Sequence, residues 1–284
     1  MEVDSLKQYK LYARCIPSGE CSQCSIGGRS IVYGFFKSRR RGLSIGINLF
    51  PLAKVCSFNC IYCFRGSTDI LTVEPVDDGS EITIPMLLKA LEIAIEDSTK
   101  ISSSINAIDF SGRGEPTLHP KFNEFLDAVK IFLKNNRLDV SVGVFTNSST
   151  LHRENIAKAF EKVDYVEAKL DTVLQYEFEY INMPCRTLRI DMIIENLKNF
   201  RKRFRETFVI QTMLLYYGNL TNSSPRNAEA LAEKLAVIEP DEVHLYTVYR
   251  VPRIRDVKKV GEEVMENFAK ILRSYGLKVE IYPK

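Results

Sequence analysis

The chain has 284 residues, 45% hydrophobic and 26% charged, with 39 basic against 36 acidic side chains and a net charge of +3. That is the composition of a globular protein with room for one large α/β domain or two small ones, without low-complexity segments. It excludes a membrane helix, since no stretch approaches the ~20 consecutive apolar residues one needs. The first residues hold no apolar h-region, so no signal peptide is read and the expected compartment is the cytoplasm. Residues 1–30 are rich in Gly, Ser and Cys and read as an irregular, cysteine-containing extension ahead of one domain over 31–284.

Beyond the extension, β and α signals alternate. The apolar run 43–49 reads as a strand that stops before Pro51, and a loop with three cysteines follows. Residues 85–95 read as a helix with proline in its first turn, and 107–111 as a strand. Phe122, Phe125, Leu126, Val129, Phe132 and Leu133 fall on one helical face. Next come a strand (140–145), a helix (151–160), a strand (165–170), a helix (190–204), a strand (208–215), a helix (228–237) and a strand (243–248). A last helix carries Val264, Phe268, Ile271, Leu272 and Tyr275, with Gly276 suited to its C′ position, and 278–282 is a final short strand. These are about six βα units without an internal linker, which favours a parallel sheet with helices outside it. A complete eight-fold barrel takes ~250 residues. The expected fold is therefore a partial, open (β/α)6 barrel, ahead of a doubly wound sheet, with the active site at the C-terminal strand ends.

Basic residues cluster at Arg39-Arg40-Arg41, at Arg201, Lys202, Arg203 and Arg205, and at Arg250, Arg253, Arg255, Lys258 and Lys259. Such clusters suit phosphates; a solvated face is the competing reading. The seven cysteines are more informative, because six fall in two tight groups. Grouped cysteines without a signal peptide suggest metal ligation rather than disulfides. Cys56, Cys60 and Cys63 have the spacing C-x3-C-x2-C. A cubane iron–sulfur cluster ordinarily takes four thiolates; a loop that presents three leaves one iron open. The alternatives are zinc, which prefers C-x2-C pairs closed by two further ligands, or buried cysteines without a metal.

The loop Cys56-Ser57-Phe58-Asn59-Cys60-Ile61-Tyr62-Cys63, with Tyr62 at the aromatic position, resembles the defining motif of the radical S-adenosylmethionine (SAM) superfamily. The resemblance implies a [4Fe–4S] cluster on Cys56, Cys60 and Cys63 whose free iron chelates the amino and carboxylate groups of SAM. Electron transfer then yields a 5′-deoxyadenosyl radical, so the resemblance also implies a ferredoxin- or flavodoxin-like one-electron reductant. Tyr62 would pack near the adenine. Ser111-Gly112-Arg113-Gly114-Glu115-Pro116 is similar to the family's glycine-rich segment, where Gly114, Glu115 and Pro116 would receive the SAM ammonium. The chemistry is sound: glycines let backbone approach a ligand, and a carboxylate pairs with an ammonium. By the same resemblance, Thr146 and Asn147 would make polar SAM contacts. Lys169 and Asp171 stand where relatives carry Ser-Leu-Asp, and Gln211 and Met213 where they meet ribose or adenine.

The segments 37–40, 46–51, Ile181-Asn182-Met183-Pro184 and 246–252 resemble iron–sulfur oxidoreductases related to the wyosine-forming enzymes that act on tRNA. Those enzymes hold a second cluster on three N-terminal cysteines, and a lysine within that segment engages pyruvate. Here Cys15, Cys21 and Cys24 have the spacing C-x5-C-x2-C, and no lysine lies between Cys15 and Cys24. An auxiliary [4Fe–4S] cluster, zinc, and no metal all remain open, and Cys185 is a candidate fourth ligand. His119, His152 and His244 form no ligand spacing; His119 reads as a loop residue that bonds locally. The expected protein is a radical SAM enzyme that abstracts hydrogen from a substrate, with a tRNA nucleoside ahead of a peptide or small metabolite. The rival from another class is a zinc-stabilised RNA-binding protein without redox chemistry.

Overall fold

A computed structural model of the chain describes residues 9–15, 29–100 and 104–283. They group into two compact units. One takes the chain up to Cys56 together with Thr68–Phe145, and the other takes Ser57–Ser67 and the chain from Thr146 onward. The cysteine loop is thus the point at which the chain passes from one unit to the other and back.

The first unit holds strands β1 (Lys10–Arg14), β2 (Ser30–Ser38), β3 (Gly42–Ile47), β4 (Val55–Cys56) and β5 (Ile70–Leu71). Helix α1 (Ile84–Thr99), β6 (Ala107–Phe110), α2 (Phe122–Asn135) and β7 (Ser141–Thr146) follow. Strand β2 lies between β1 and β3, parallel to the first and antiparallel to the second, and β3, β6 and β7 continue in parallel. The side chains of β6 are buried throughout, as expected for a parallel strand covered on both faces. Thr83 caps α1 by accepting from the Met86 amide, with proline in the first turn. Strands β4 and β5 form a separate parallel pair, closed by a small core of Phe50, Val55 and Leu118.

The second unit holds α3 (Glu154–Phe160), β8 (Tyr165–Lys169), α4 (Gln175–Glu177), α5 (Ile190–Arg203), β9 (Thr207–Tyr217) and β10 (Leu220–Thr221). It ends with α6 (Pro225–Ile238), β11 (Glu242–Thr247), β12 (Val257–Lys259), α7 (Glu262–Ser274) and β13 (Val279–Tyr282). Its sheet runs β8, β9, β11, β13, all parallel, while β10 and β12 pair antiparallel with the extended end of β9. Along the whole chain β3, β6, β7, β8, β9 and β11 are each followed by a helix before the next parallel strand, which makes the six βα units expected. No helix of the described residues is long and apolar enough to cross a membrane.

Three expectations need correction. Lys10–Arg14 is a strand, not irregular chain; five residues are too few to show periodicity against the Gly/Ser-rich stretch around them. The helix expected over 151–160 begins only at Glu154. Among the basic clusters Arg41 departs from a solvated face, whereas the ion pairs of Arg201 and Arg203 lie at the surface, as that reading allows. Arg41 is buried against Asp109 at 3.0 Å, their side chains 7% and 3% exposed, and Arg40 lies over the Phe145 ring. Arg201 pairs with Asp241, and Arg203 with Glu154 and Glu161, where they also complement the C-terminal end of α5.

The buried pair gives a direct expectation. Arg41→Met leaves the Asp109 carboxylate in the interior without its cation and should lower stability by about 3 kcal/mol or more. Exposed Arg39→Met should change it by less than about 0.5 kcal/mol. Urea unfolding of the two variants beside the parent chain measures the difference, and equal midpoints would refute the burial argument.

Candidate functional site

In the first unit the site is built around the backbone of β4. Asn48, buried at the end of β3, accepts from the amides of Phe50 and Arg113 through Oδ1 and donates through Nδ2 to the Ser30 carbonyl. One side chain therefore fixes both the lead-in to the cysteine loop and the glycine-rich segment. Arg113 then reaches Asp69 at 3.2 Å and the Leu52 carbonyl at 3.3 Å. Gly114 has φ +83°, and a Cβ on it would stand 1.8 Å from the Val55 carbonyl oxygen. Only glycine lets the segment lie against the residue that precedes Cys56. Beside it the Glu115 amide donates to the Val55 carbonyl at 2.8 Å. The Glu115 carboxylate is buried and caps the short 3-10 turn Pro116–Leu118, accepting from the Thr117 amide at 3.3 Å and hydroxyl at 2.6 Å.

In the second unit the rest of the cysteine loop meets the segment after α4. A π-helical turn, Phe178–Asn182, ends at Met183 in the left-handed region (φ +43°). The amides of Asn59 and Ile61 donate to the carbonyls of Asn182 and Ile181, and the Cys185 amide returns to the Ser57 carbonyl at 2.8 Å. Phe58 packs edge-on against Phe178 at 5.2 Å. Asn147 anchors the start of the loop by donating to the Ser57 hydroxyl at 2.8 Å.

Within this clamp sits a buried polar network. The Tyr62 hydroxyl donates to Asp171 Oδ2 at 2.5 Å. Asn182 Nδ2 donates to the same oxygen at 2.7 Å and lies 3.5 Å from both Cys60 Sγ and Tyr62 Oη. Asp171 Oδ1 accepts from the Met213 amide at 2.8 Å and meets Lys169 Nζ at 3.5 Å. That ammonium donates to Gln211 at 2.8 Å and lies over the Tyr62 ring. Arg253 donates to the carbonyls of Asn59 and Cys60 and touches the Met183 sulfur.

The electrostatics follow from burial. Burial pushes the Cys60 thiol above its ordinary range, Cys63 and Asp171 add to the rise, and Lys169 and the Asn182 bond oppose it. Burial and then Asp171 hold Tyr62 well above the usual tyrosine range, so it is a neutral donor. A thiolate at Cys60 thus needs cationic or donor support. Lys169 and the Asn182 amide supply it, while the Arg253 guanidinium holds the loop carbonyls. Three thiols on one loop with that support suit an iron–sulfur cluster with an open iron. Among the described residues no three His, Cys, Asp or Glu side chains group as a single metal ion requires; a cubane asks less, since each thiolate takes a different iron.

The structure thus brings Cys60, Tyr62, Lys169, Asp171, Gln211 and Met213 into one network in the second unit, and Gly114, Glu115 and Pro116 onto the backbone beside Cys56 in the first. Thr146 instead accepts locally from the Ser148 amide. Cys15 follows β1, its amide donating to the Gly34 carbonyl at 2.6 Å, while Cys21 and Cys24 lie outside the described residues. Cys185 adjoins the loop, and burial raises its thiol. His119 packs against Phe50 and Phe125, accepts locally from the Lys121 amide, and also meets Asp77, 42 residues away, so it is a buried residue rather than one that bonds only locally. Sequence reasoning missed the roles of Asn182 and Arg253. The one signal was position: both lie in or next to segments singled out by resemblance, and nothing in those segments names a partner.

Gly114→Ala should distort the segment or destabilise the first unit by about 3 kcal/mol or more, since both the positive φ and the Val55 carbonyl oppose a Cβ. Thermal unfolding tests this, and a variant as stable as the parent would contradict the close approach.

Comparison with known proteins agrees with this geometry. The Radical SAM superfamily model matches residues 50–224. A UPF0026 protein of Methanocaldococcus jannaschii is 30% identical over 237 residues, 83% of this chain and 69% of the relative. Among solved structures, a radical SAM methyltransferase from Sphaerobacter thermophilus superposes with a TM-score of 0.62 at 14% identity, covering 84% of this chain and 66% of that one. TYW1 with a lysine-pyruvate adduct bound gives 0.58 at 19%, covering 81% and 73%. The structural likeness shows the fold, a partial, open α/β barrel rather than a doubly wound sheet. The chain belongs to the Radical SAM superfamily and, by its relatives, to the UPF0026 proteins.

Proposed function

We propose that Cys56, Cys60 and Cys63 hold the [4Fe–4S] cluster of this radical SAM enzyme, and that its substrate is a tRNA nucleoside. The observation that carries the first part is the buried network joining Cys60, Tyr62, Asp171 and Asn182 on the clamped loop. When bound, the cluster and SAM supply a one-electron reductive cleavage whose organic radical removes a hydrogen atom from the substrate; the electron comes from an external reductant. The chain's own residues bind and orient. In the second unit Tyr62, locked by Asp171, would pack near the adenine. Lys169, held by Gln211 and Asp171, would offer an ammonium to the SAM carboxylate, and Gln211 and Met213, which share a face of β9, would meet the ribose or adenine. Thr146, which accepts from the Ser148 amide, and Asn147, which donates to Ser57 of the cysteine loop, are further candidates for polar SAM contacts. In the first unit Glu115 offers a carboxylate to the SAM ammonium beside the Gly114 approach. Cys15, Cys21 and Cys24, with Cys185, are candidates for a second cluster or a zinc ion.

The expected outcome is four irons per chain after anaerobic reconstitution, or about eight with a second cubane, with 5′-deoxyadenosine formed on reduction with SAM. The triple variant Cys56→Ala, Cys60→Ala, Cys63→Ala should lose that product. Glu115→Gln should weaken SAM binding about tenfold or more while keeping its iron, since one partner of a buried charge pair is removed. Undiminished 5′-deoxyadenosine from the triple variant, measured by mass spectrometry, would overturn the assignment.

The tRNA reading rests on kinship to the wyosine-forming enzymes and on one surface. Arg250 stacks over Phe64 of the cysteine loop at 4.2 Å. Tyr249 is 63% exposed beside it, and Lys258 and Lys259 are exposed on β12. Aromatic rings and cations together suit unpaired bases and phosphates. Arg250→Ala with Phe64→Ala should weaken tRNA retention about tenfold and flatten its salt dependence by about one phosphate contact. Binding unaffected by the double substitution, or SAM cleavage indifferent to added tRNA, would favour a peptide or small metabolite instead.

A further inference from the structure

We propose that Asn182 sets the reduction potential of the cluster through an N–H···S hydrogen bond to Cys60; the inference rests on the cluster assignment above. The residue is 2% exposed, and its Nδ2 stands 2.7 Å from Asp171 Oδ2 and 3.5 Å from Cys60 Sγ. A carboxamide has two N–H bonds. The short contact takes one, which leaves the other facing Cys60 Sγ and Tyr62 Oη. Tyr62 is the weaker claimant, being neutral, whereas a ligating thiolate is a charged acceptor.

The placement is built rather than incidental. Backbone bonds from Asn59 and Ile61 to the carbonyls of Asn182 and Ile181 flank Cys60 on both sides, so the amide is fixed in register with that sulfur. The register depends on the π-helical turn Phe178–Asn182 and the left-handed Met183 that follows it. Such turns are rare and concentrate at functional sites. Asp171, held through Oδ1 by the Met213 amide, keeps the carboxamide from rotating. Hydrogen bonds to cluster sulfurs are a recognised lever on potential. The reduced cluster carries one more negative charge, so the bond stabilises it more than the oxidised state and raises the potential.

The test is potentiometric titration of the reconstituted full-length chain, followed by electron paramagnetic resonance, for the wild type, Asn182→Leu and Asn182→Asp. Iron and sulfide are measured first. Asn182→Leu removes the N–H donor at nearly constant shape and is the decisive variant; Asn182→Asp also loses the N–H but shares a proton with Asp171 and adds charge beside the sulfur, which moves the midpoint in the same direction. The midpoint should become more negative by about 59 mV, a tenfold shift in a one-electron equilibrium, with iron content unchanged. An unchanged midpoint in an iron-replete variant overturns the inference while leaving the cluster assignment intact. Failure of both variants to retain iron also overturns it, because Asn182 would then hold the loop rather than tune the metal. Wild-type protein without iron would remove the cluster assignment itself, and the inference with it.

Discussion

The backbone clamp between residues 57–61 and 181–185 is the interaction on which the site depends. A loop that must present several thiols to one group cannot also lie in a sheet ladder, yet its amides are buried and need partners. Asn59 and Ile61 find theirs on the turn before Pro184, more than a hundred residues away in the chain. The turn can supply them because its π-helical winding and left-handed exit leave carbonyls unused by the helix. Remove the clamp, and both the orientation of the thiols and the burial of Tyr62 are lost together.

Charge is the second constraint. Buried thiols resist ionisation, so a thiolate-ligated group has to be met by positive charge and donors. Lys169 meets it from across the Tyr62 ring and the Asn182 amide at the sulfur, while Arg253 fixes the loop through its carbonyls. Asp171 is the counterweight: it holds Tyr62, Asn182 and the Met213 amide at once, so a single carboxylate ties the loop to the end of β8 and the middle of β9. In the first unit the equivalent task is steric, with Gly114 opening the approach to Val55 and Asn48 fixing the two segments that flank it.

Much of this was legible from the residues. The alternation of β and α signals located the six βα units because long buried strands and amphipathic helices have distinct periods. The C-x3-C-x2-C spacing with its aromatic residue pointed to the superfamily that the comparison shows, because three thiols on one loop have few other uses. What stayed hidden was long-range. Nothing in the neighbourhood of Asn182 announces a partner at Cys60, and nothing near Arg253 announces the Asn59 carbonyl; those contacts exist only after the strands are placed. Arg41 misled for a related reason. A run of three arginines looks like a basic surface, and only the pairing of β3 with β6 reveals that the third is turned inward to Asp109. Strand β1 escaped because it is short and set among residues that favour turns.

The central claim is that three thiolates leave one iron open to SAM. Electron paramagnetic resonance of the reduced, reconstituted protein, recorded before and after adding SAM, tests it most directly. A cubane signal whose g values shift on SAM addition is the expected result. A spectrum indifferent to SAM, or a colourless protein that carries only zinc, would contradict it.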